Sequence, residues 1–327
     1  MSEHRIVVTG ANGWIGNQVV SEARGRGYAV TAADLSLYRG PCAVSLIANI
    51  SSDRVFDLET HSGIRGADVV IHCAGYAHRP RETAQEIRRF DEINHFGTRR
   101  IIELAGRAGV PRLVYISSIA FYDWFGSGPV TEDCPTQAST AYARSKLAGE
   151  RVCLESELDC RVVRLATVFG DGDRANFSKL AKALGRNHFL VPGRGTARKS
   201  VIPVRLVAEL LVDLAVRESV AYRVVNLALP DVPTLSDICQ AYNEICGLGR
   251  PSRVPMGLMK AAALLGDILD KVRPGFPLTT KNVRKLTTST AVDVTRMREI
   301  WPDRKWPTFR QSLEQSADYY RSIAIER

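Results

Sequence analysis

The sequence predicts an α/β fold, a Rossmann-like doubly wound parallel sheet followed by a smaller, mostly helical lobe. Three observations predict it. Up to Gly170, short apolar runs alternate with amphipathic stretches. The runs are apolar on consecutive residues, as strands buried on both faces require. After Gly170 helical patterns dominate, and a single clear strand remains at residues 223–227.

The strand candidates are residues 6–9, 28–33, 69–74, 113–117 and 161–166, all rich in Val, Ile or Ala. Between them lie helical patterns such as residues 94–108, where Ile101, Ile102, Leu104 and Ala105 share one face. Strands alternating with helices imply βαβ units with right-handed crossovers. Further helices are predicted at residues 176–185, 204–215, 235–246 and 256–272, with prolines and glycines clustered at 247–257 and 273–277. The strand at 223–227 reads as one that returns to the main sheet.

The bulk properties exclude several classes. Of 327 residues, 45% are hydrophobic and 24% charged, as in a folded globular chain. The net charge of +9 comes from scattered basic residues with no run of five, which argues for a solvated surface or an anion-binding cleft over a nucleic-acid partner. Seven cysteines, an odd number without a CxxC pair, fit reduced thiols in the cytoplasm. The histidines form no metal-binding pattern, so no metal site is expected. The first strand starts by Arg5, which leaves no room for a signal peptide. Residues 256–269 are the most apolar stretch, but Lys260 and Asp267 interrupt them and they are too short to cross a bilayer. They predict an amphipathic helix, and no membrane partner is expected.

The first strand runs into Gly10-Ala11-Asn12-Gly13-Trp14-Ile15-Gly16, with glycines at spacing three and a helix behind them. The first permits the tight turn, the second lets backbone approach a pyrophosphate, and the third lets helix pack on strand. The helix N-terminus adds free N–H groups and its positive dipole end. The second strand ends at Asp34, whose carboxylate can accept hydrogen bonds from ribose hydroxyls and would repel a 2′-phosphate. NAD is therefore favoured over NADP, although Arg39 lies close by.

Tyr142-Ala-Arg-Ser-Lys146 is a YxxxK on a helical stretch. Spacing four puts both side chains on one face, a turn apart. A phenol with a pKa near 10 is a poor base, and an ammonium beside it favours the phenolate. The tyrosine could then take a hydroxyl proton while hydride leaves the same carbon. Ser117-Ser118 ends the preceding strand, where a hydroxyl can contact the substrate oxygen.

With these motifs in place, nearly the whole chain resembles the extended short-chain dehydrogenase/reductase family of nucleotide-sugar epimerases, dehydratases and 4-ketoreductases. Gly10, Gly13 and Gly16 fall on its GxxGxxG, and Asp57-Leu58 on its adenine-contacting pair. Cys73-Ala74-Gly75 fits the loop lying along the cofactor, and Asn94 with Gly97-Thr98 fits its Asn-x-x-Gly-Thr helix. Ser117-Ser118 with Tyr122 fits its Ser-Ser-x-x-x-Tyr segment. The resemblance makes Ser118, Tyr142 and Lys146 the catalytic set. Residues 164–170, with Ala166 and Val168, match the segment that closes over the nicotinamide. The resemblance adds Asn12, Trp14, Ile15, Asn94 and Ser117 to the NAD contacts. Asn176-Phe177 resembles the segment holding a nucleotide diphosphate, and Arg198 and Lys199 resemble the basic residues contacting the same group. It implies an NAD-binding domain over residues 1–170, a substrate-binding lobe over 171–327 with a strand near 222–228 returning to the sheet, and a homodimer through helices near 94–108 and 142–157.

Some positions depart from that pattern. Dehydratases of the family carry an Asp-Glu pair after the catalytic hydroxyl, where this chain has Ile119 and Ala120. That argues against water elimination. Pro203 and Leu206 replace polar residues, Phe56 replaces a glycine, and residues 40–52 have no counterpart. The resemblance implies an NAD-dependent epimerase or 4-keto reductase acting at carbon 4 of a nucleotide-diphosphate sugar, UDP favoured. The stretch from Pro277 to Thr287 also resembles 3β-hydroxysteroid dehydrogenases, which gives one alternative. A non-catalytic NAD-sensing regulator of the same fold is another.

Overall fold

The computed structural model describes residues 4–42, 44–52, 63–77, 83–122, 124, 128–272 and 275–325. The chain begins β1 (Arg5–Thr9), α1 (Trp14–Gly25), β2 (Ala29–Asp34), β3 (Val44–Ile47), β4 (Val69–His72), α2 (Ala84–Asp91) and α3 (Gly97–Arg107). It continues with β5 (Arg112–Ser118), α4 (Ala141–Glu155), β6 (Asp159–Leu165), β7 (Thr167–Phe169), α5 (Asn176–Gly185), β8 (Leu190–Pro192) and β9 (Val201–Pro203). Then come α6 (Val204–Val216), β10 (Val224–Leu227), α7 (Leu235–Cys246), β11 (Ser252–Val254) and α8 (Met256–Val272). The last helices are α9 (Thr280–Thr287), α10 (Thr295–Ile300), α11 (Phe309–Glu314) and α12 (Ala317–Ile325).

Seven parallel strands form the central sheet in the order β10-β6-β5-β4-β1-β2-β3. The reversal of direction around β1 and β4 is the switch point at which such sheets bind ligands. The consecutive apolar runs have a direct cause. Ile6 and Val8 point into the core shared with α1 and α6, and Val7 points into the opposite core shared with α3. A strand sandwiched this way has no solvent face to mark with polar residues.

Strand β10 lies beyond Gly170 in sequence yet closes the sheet beside β6. Two short parallel pairs, β7 with β9 and β8 with β11, organise the later part of the chain. Residues 40–52, without a counterpart in the family pattern, contain edge strand β3. Cys153, Cys160, Cys239 and Cys246 are buried, and all seven cysteines are free thiols. Among the described residues, no helix is long and apolar enough to cross a membrane.

The helix expected at 94–108 starts earlier. Thr83 caps α2, accepting a hydrogen bond from the Glu86 N–H, and a single π-helical turn at Glu92–Phe96 joins α2 to α3. Such turns insert one extra residue and redirect the side chains around them. Here the turn carries Asn94 into the interior, where α4 passes at close range. Gly149 of α4 makes that approach possible, because a Cβ there would lie 2.3 Å from the Asn94 carbonyl oxygen and 2.4 Å from the Tyr115 hydroxyl.

That contact yields a test of the packing. Gly149→Ala, at a helical position where alanine is otherwise preferred, should destabilise the protein by about 1–3 kcal/mol through overpacking. Urea unfolding at neutral pH measures it; an unchanged or raised midpoint would refute the close approach.

Candidate active site

The glycine turn meets the demands that a dinucleotide places on it. Gly10 adopts a left-handed φ of 68°, and a Cβ there would sit 2.6 Å from the Ala74 nitrogen. At Gly16 a Cβ would sit 2.1 Å from the Gly10 carbonyl oxygen. The turn is therefore pressed between α1 and the loop after β4. Gly13 precedes α1 without a side-chain cap, so the first-turn amides keep their hydrogens for an anion.

Asp34 closes the far side of this turn. Its carboxylate accepts from the Asn12 N–H at 2.8 Å and the Leu35 N–H at 2.6 Å, which fixes it beside the turn with lone pairs to spare. The Asn12 amide donates to the Ser36 carbonyl. Trp14 donates its indole N–H to the Asp171 carbonyl at 2.6 Å, tying the turn to the segment after β7. Ile15 packs against the core. Trp14 and Ile15 thus present backbone, not side chain, to the turn's concave side.

The loop after β4 lies between this turn and α4. Cys73 and Ala74 hydrogen-bond Thr9 through their backbone N–H groups, and burial pushes the Cys73 thiol up to about 12. A Cβ at Gly75 would lie 3.3 Å from the Asn94 Oδ1 and 4.0 Å from the Lys146 Nζ. Asn94 accepts from the Tyr76 N–H at 2.8 Å and donates to the Tyr76 carbonyl and the Ser145 hydroxyl. His72 sits behind, between the Thr9 and Thr98 hydroxyls. Burial, then the nearby Lys146 charge, lowers it to about 3, so it is neutral at physiological pH.

Helix α4 presents Tyr142, Lys146 and Glu150 along one face, each a turn from the next. Burial raises the Tyr142 pKa, and the neighbouring Ser118 side chain opposes the rise. Ser118 is the last residue of β5, and its Oγ also accepts from the Ala120 N–H at 3.1 Å. The Lys146 ammonium is buried, with Nζ 4.2 Å from the centre of the Tyr115 ring. Burial lowers it to about 8, against the opposing pull of Cys153, Glu150 and Cys73. The Phe90 ring meets Tyr142 edge-on at 5.8 Å.

Beneath Tyr142 and Lys146 lies a buried ion pair. Arg164 donates to Glu150 at 2.5 Å and to the Tyr122 hydroxyl at 2.7 Å. Ser117 spends its hydroxyl on Glu150 at 2.6 Å, so its side chain faces this pair and not the cofactor loop. Ala166 and Val168 follow at the turn from β6 to β7, Ala166 bonded to the Leu227 carbonyl. Glu150 belongs to none of the motifs read from the sequence. Its signal was its spacing, since it continues the Tyr142–Lys146 series by four.

A second cluster forms where α5 and α9 meet. Asn176 opens α5, and its Oδ1 accepts from Lys285 at 3.3 Å. Lys199 donates to the carbonyls of Lys285 and Thr288 at 2.9 and 2.5 Å. Burial, then Lys285, lowers Lys199 to about 8. Lys285 is lowered by burial and by Lys179 and Lys281. Lys285, beside Asn176, thus depresses Lys199 and is itself depressed by Lys179 and Lys281, a crowding of cations that an anion would relieve. Lys285 escaped the sequence analysis, although Lys281 and Lys285 are an i, i+4 pair. Arg198 is turned elsewhere, to the Val232 carbonyl. Phe56, Asp57 and Leu58 lie outside the described residues. Among the described residues no group of His, Cys, Asp or Glu could hold a metal.

Comparison with known proteins fits this geometry. The profile of the "NAD dependent epimerase/dehydratase family" matches residues 6–228. A dTDP-4-dehydrorhamnose reductase from Mycobacterium tuberculosis is 29% identical over 76% of this chain and 78% of its own. Sterol demethylase protein B from Methylococcus capsulatus is 30% identical over 81% of this chain and 82% of its own. The structure of UDP-glucuronic acid 4-epimerase from Bacillus cereus, in complex with UDP-glucuronic acid and NAD, superposes with a TM-score of 0.73 at 18% identity, covering 97% of this chain and 99% of that one. The chain belongs to the NAD-dependent epimerase/dehydratase family, within the extended short-chain dehydrogenases/reductases.

Proposed function

We propose that the protein is an epimerase or 4-keto reductase acting at carbon 4 of a nucleotide-diphosphate sugar, with UDP as the favoured nucleotide. The observation that carries this reading is the pairing of two sites: Tyr142 next to Ser118 with Lys146 buried one turn along the same helix, and lysines gathered near Asn176. The first suits proton transfer at a carbinol, and the second suits a diphosphate.

In this reading residues 1–170 hold NAD and residues 171–327 hold the substrate. The backbone of residues 10–16 would carry the pyrophosphate, and Asp34 the adenosine ribose. Cys73, Ala74, Gly75, Asn94, Ala166 and Val168 would line the nicotinamide half. Bound NAD supplies the hydride acceptor and, in an epimerase, the returning donor as well. Lys146, one turn along α4 from Tyr142, is the cation that would favour the Tyr142 phenolate once cofactor and substrate are bound. Ser118 orients the sugar hydroxyl, and Tyr142 takes its proton as the C4 hydrogen leaves as hydride. In the reducing direction Tyr142 returns that proton to the oxygen. Asn176, Lys199 and Lys285 hold the diphosphate and so fix the sugar over Tyr142. Ile119 and Ala120 offer no acid or base for elimination. The subunit would pair with a second copy through α3 and α4.

The sterol-named relative raises an apolar substrate. The lysines around Asn176 count against that, since a sterol would leave them repelling one another with no anion. A purely regulatory role would have no use for Tyr142 and Ser118 set together near a buried ammonium.

Two results are expected. Tyr142→Phe should lower turnover by about 10²–10⁴-fold while leaving NAD affinity intact; retained turnover would refute the proton-transfer role. UDP should bind with proton uptake near pH 8, because the anion raises the lowered pKa of Lys199. Its affinity should fall as pH rises from 7 to 9 and Lys199 loses its proton, and Lys199→Gln should flatten that dependence. Calorimetry in buffers of different ionisation heat measures both, and UDP binding without proton uptake would contradict the assignment.

A further inference from the structure

Helix α8 carries a surface that the reaction does not use. Its inner face is short: Met259, Ala263 and Gly266 pack against the segment leading into α9, with Val283 and Leu278. A Cβ at Gly266 would overlap the Leu278 carbonyl, so α8 is seated closely on that side. The outer face is different. Leu258, Leu264, Leu265, Ile268, Leu269 and Val272 form one stripe along the helix. Leu264 and Leu265 are 62% and 65% exposed, Ile268 61% and Val272 83%. A stripe of large apolar side chains at this exposure marks an interaction surface.

The surrounding charge identifies the partner. From position 250 to position 292 the chain has eight basic residues and two acidic ones, Asp267 and Asp270. Both carboxylates are half-buried and hydrogen-bonded. Asp267 accepts from the Thr280 N–H and hydroxyl, and Asp270 from the N–H groups of Gly275 and Phe276. By helical spacing, Lys260 and Lys271 border the stripe on one edge, both exposed. The exposed surface of α8 is therefore apolar and cationic, its two half-buried carboxylates being engaged by the start of α9 and the segment before it.

We propose that α8 docks the protein on an anionic lipid bilayer, lying in the interface with its leucine stripe in the acyl boundary and its lysines on the headgroups. A second copy of the chain is the weaker fit. A two-fold pairing through this face would set each cationic border against its own equivalent. At 17 residues α8 lies on a membrane and does not span one. The docked helix would be one element from the proposed diphosphate site, since α9, which packs on α8, supplies Lys285 to Asn176. Docking does not depend on which reaction the site performs.

The test is sedimentation of the full-length protein with vesicles of phosphatidylglycerol and phosphatidylcholine, against phosphatidylcholine alone. The protein should sediment with the anionic vesicles and be released by salt. Leu265→Glu/Ile268→Glu should lower the bound fraction roughly tenfold or more, and Lys260→Gln/Lys271→Gln should do so without touching the apolar stripe. Neither pair should change the unfolding temperature or turnover of a soluble nucleotide sugar, which separates this proposal from that of the reaction. Wild-type protein that stays with the supernatant overturns it. So does undiminished binding by both double variants, or a dimer in sedimentation velocity that Leu265→Glu/Ile268→Glu dissociates.

Discussion

The buried ion pair of Glu150 and Arg164 fixes where α4 stands, and the rest of the site follows from it. Arg164 comes from β6, Glu150 from α4, and the Ser117 hydroxyl joins them from β5. Removing one partner of such a pair would strand the other charge out of water, at a cost of about 3–5 kcal/mol, so the helix has one position relative to the sheet. Lys146 and Tyr142 stand one and two turns along the same face. Ser118 is the next residue after Ser117 on the same strand end. A single salt bridge thus positions both Ser118 and Tyr142.

Close packing holds the other side. Asn94 spends its amide on Tyr76 and Ser145, and the π-helical turn brings it there. Gly149 lets α4 ride over that turn, and Gly75 lets the cofactor loop pass Asn94 and Lys146. The buried Lys146 is held at about 8 by burial. An ammonium whose proton is this loosely held is sensitive to each charge placed near it. The same electrostatic logic operates near Asn176, where crowded lysines would suit the proposed diphosphate.

The sheet and the Tyr142–Lys146 face were legible because their signals are local. Buried strands such as 161–166 show as consecutive apolar residues, and the glycine turn shows as a spacing. The helix expected at 94–108 was misjudged at its start, because a π turn depends on Asn94 finding Tyr76 and Ser145 from other elements. Strand β3 and the pairs β7–β9 and β8–β11 are three or four residues long, too short for periodicity to register. Ser117 read as a cofactor contact, but its hydroxyl is taken by Glu150, a partner 33 residues away in sequence. Lys285 was missed for the same reason, since it is joined to Asn176 only by the fold. The amphipathic character of residues 256–272 was visible, whereas the exposure of its apolar face is a property of what packs on the helix.

The central claim is that Tyr142 and its neighbours on α4 manage a proton while hydride leaves carbon 4 of a sugar diphosphate. A UDP-hexose carrying deuterium at carbon 4 tests it most directly, with product and cofactor read by mass spectrometry. The label should stay on carbon 4 of the epimerised sugar or pass to NAD in net oxidation, and should not exchange with water. Loss of the deuterium to solvent, or turnover that leaves both the configuration and the oxidation state of carbon 4 unchanged, would contradict the account.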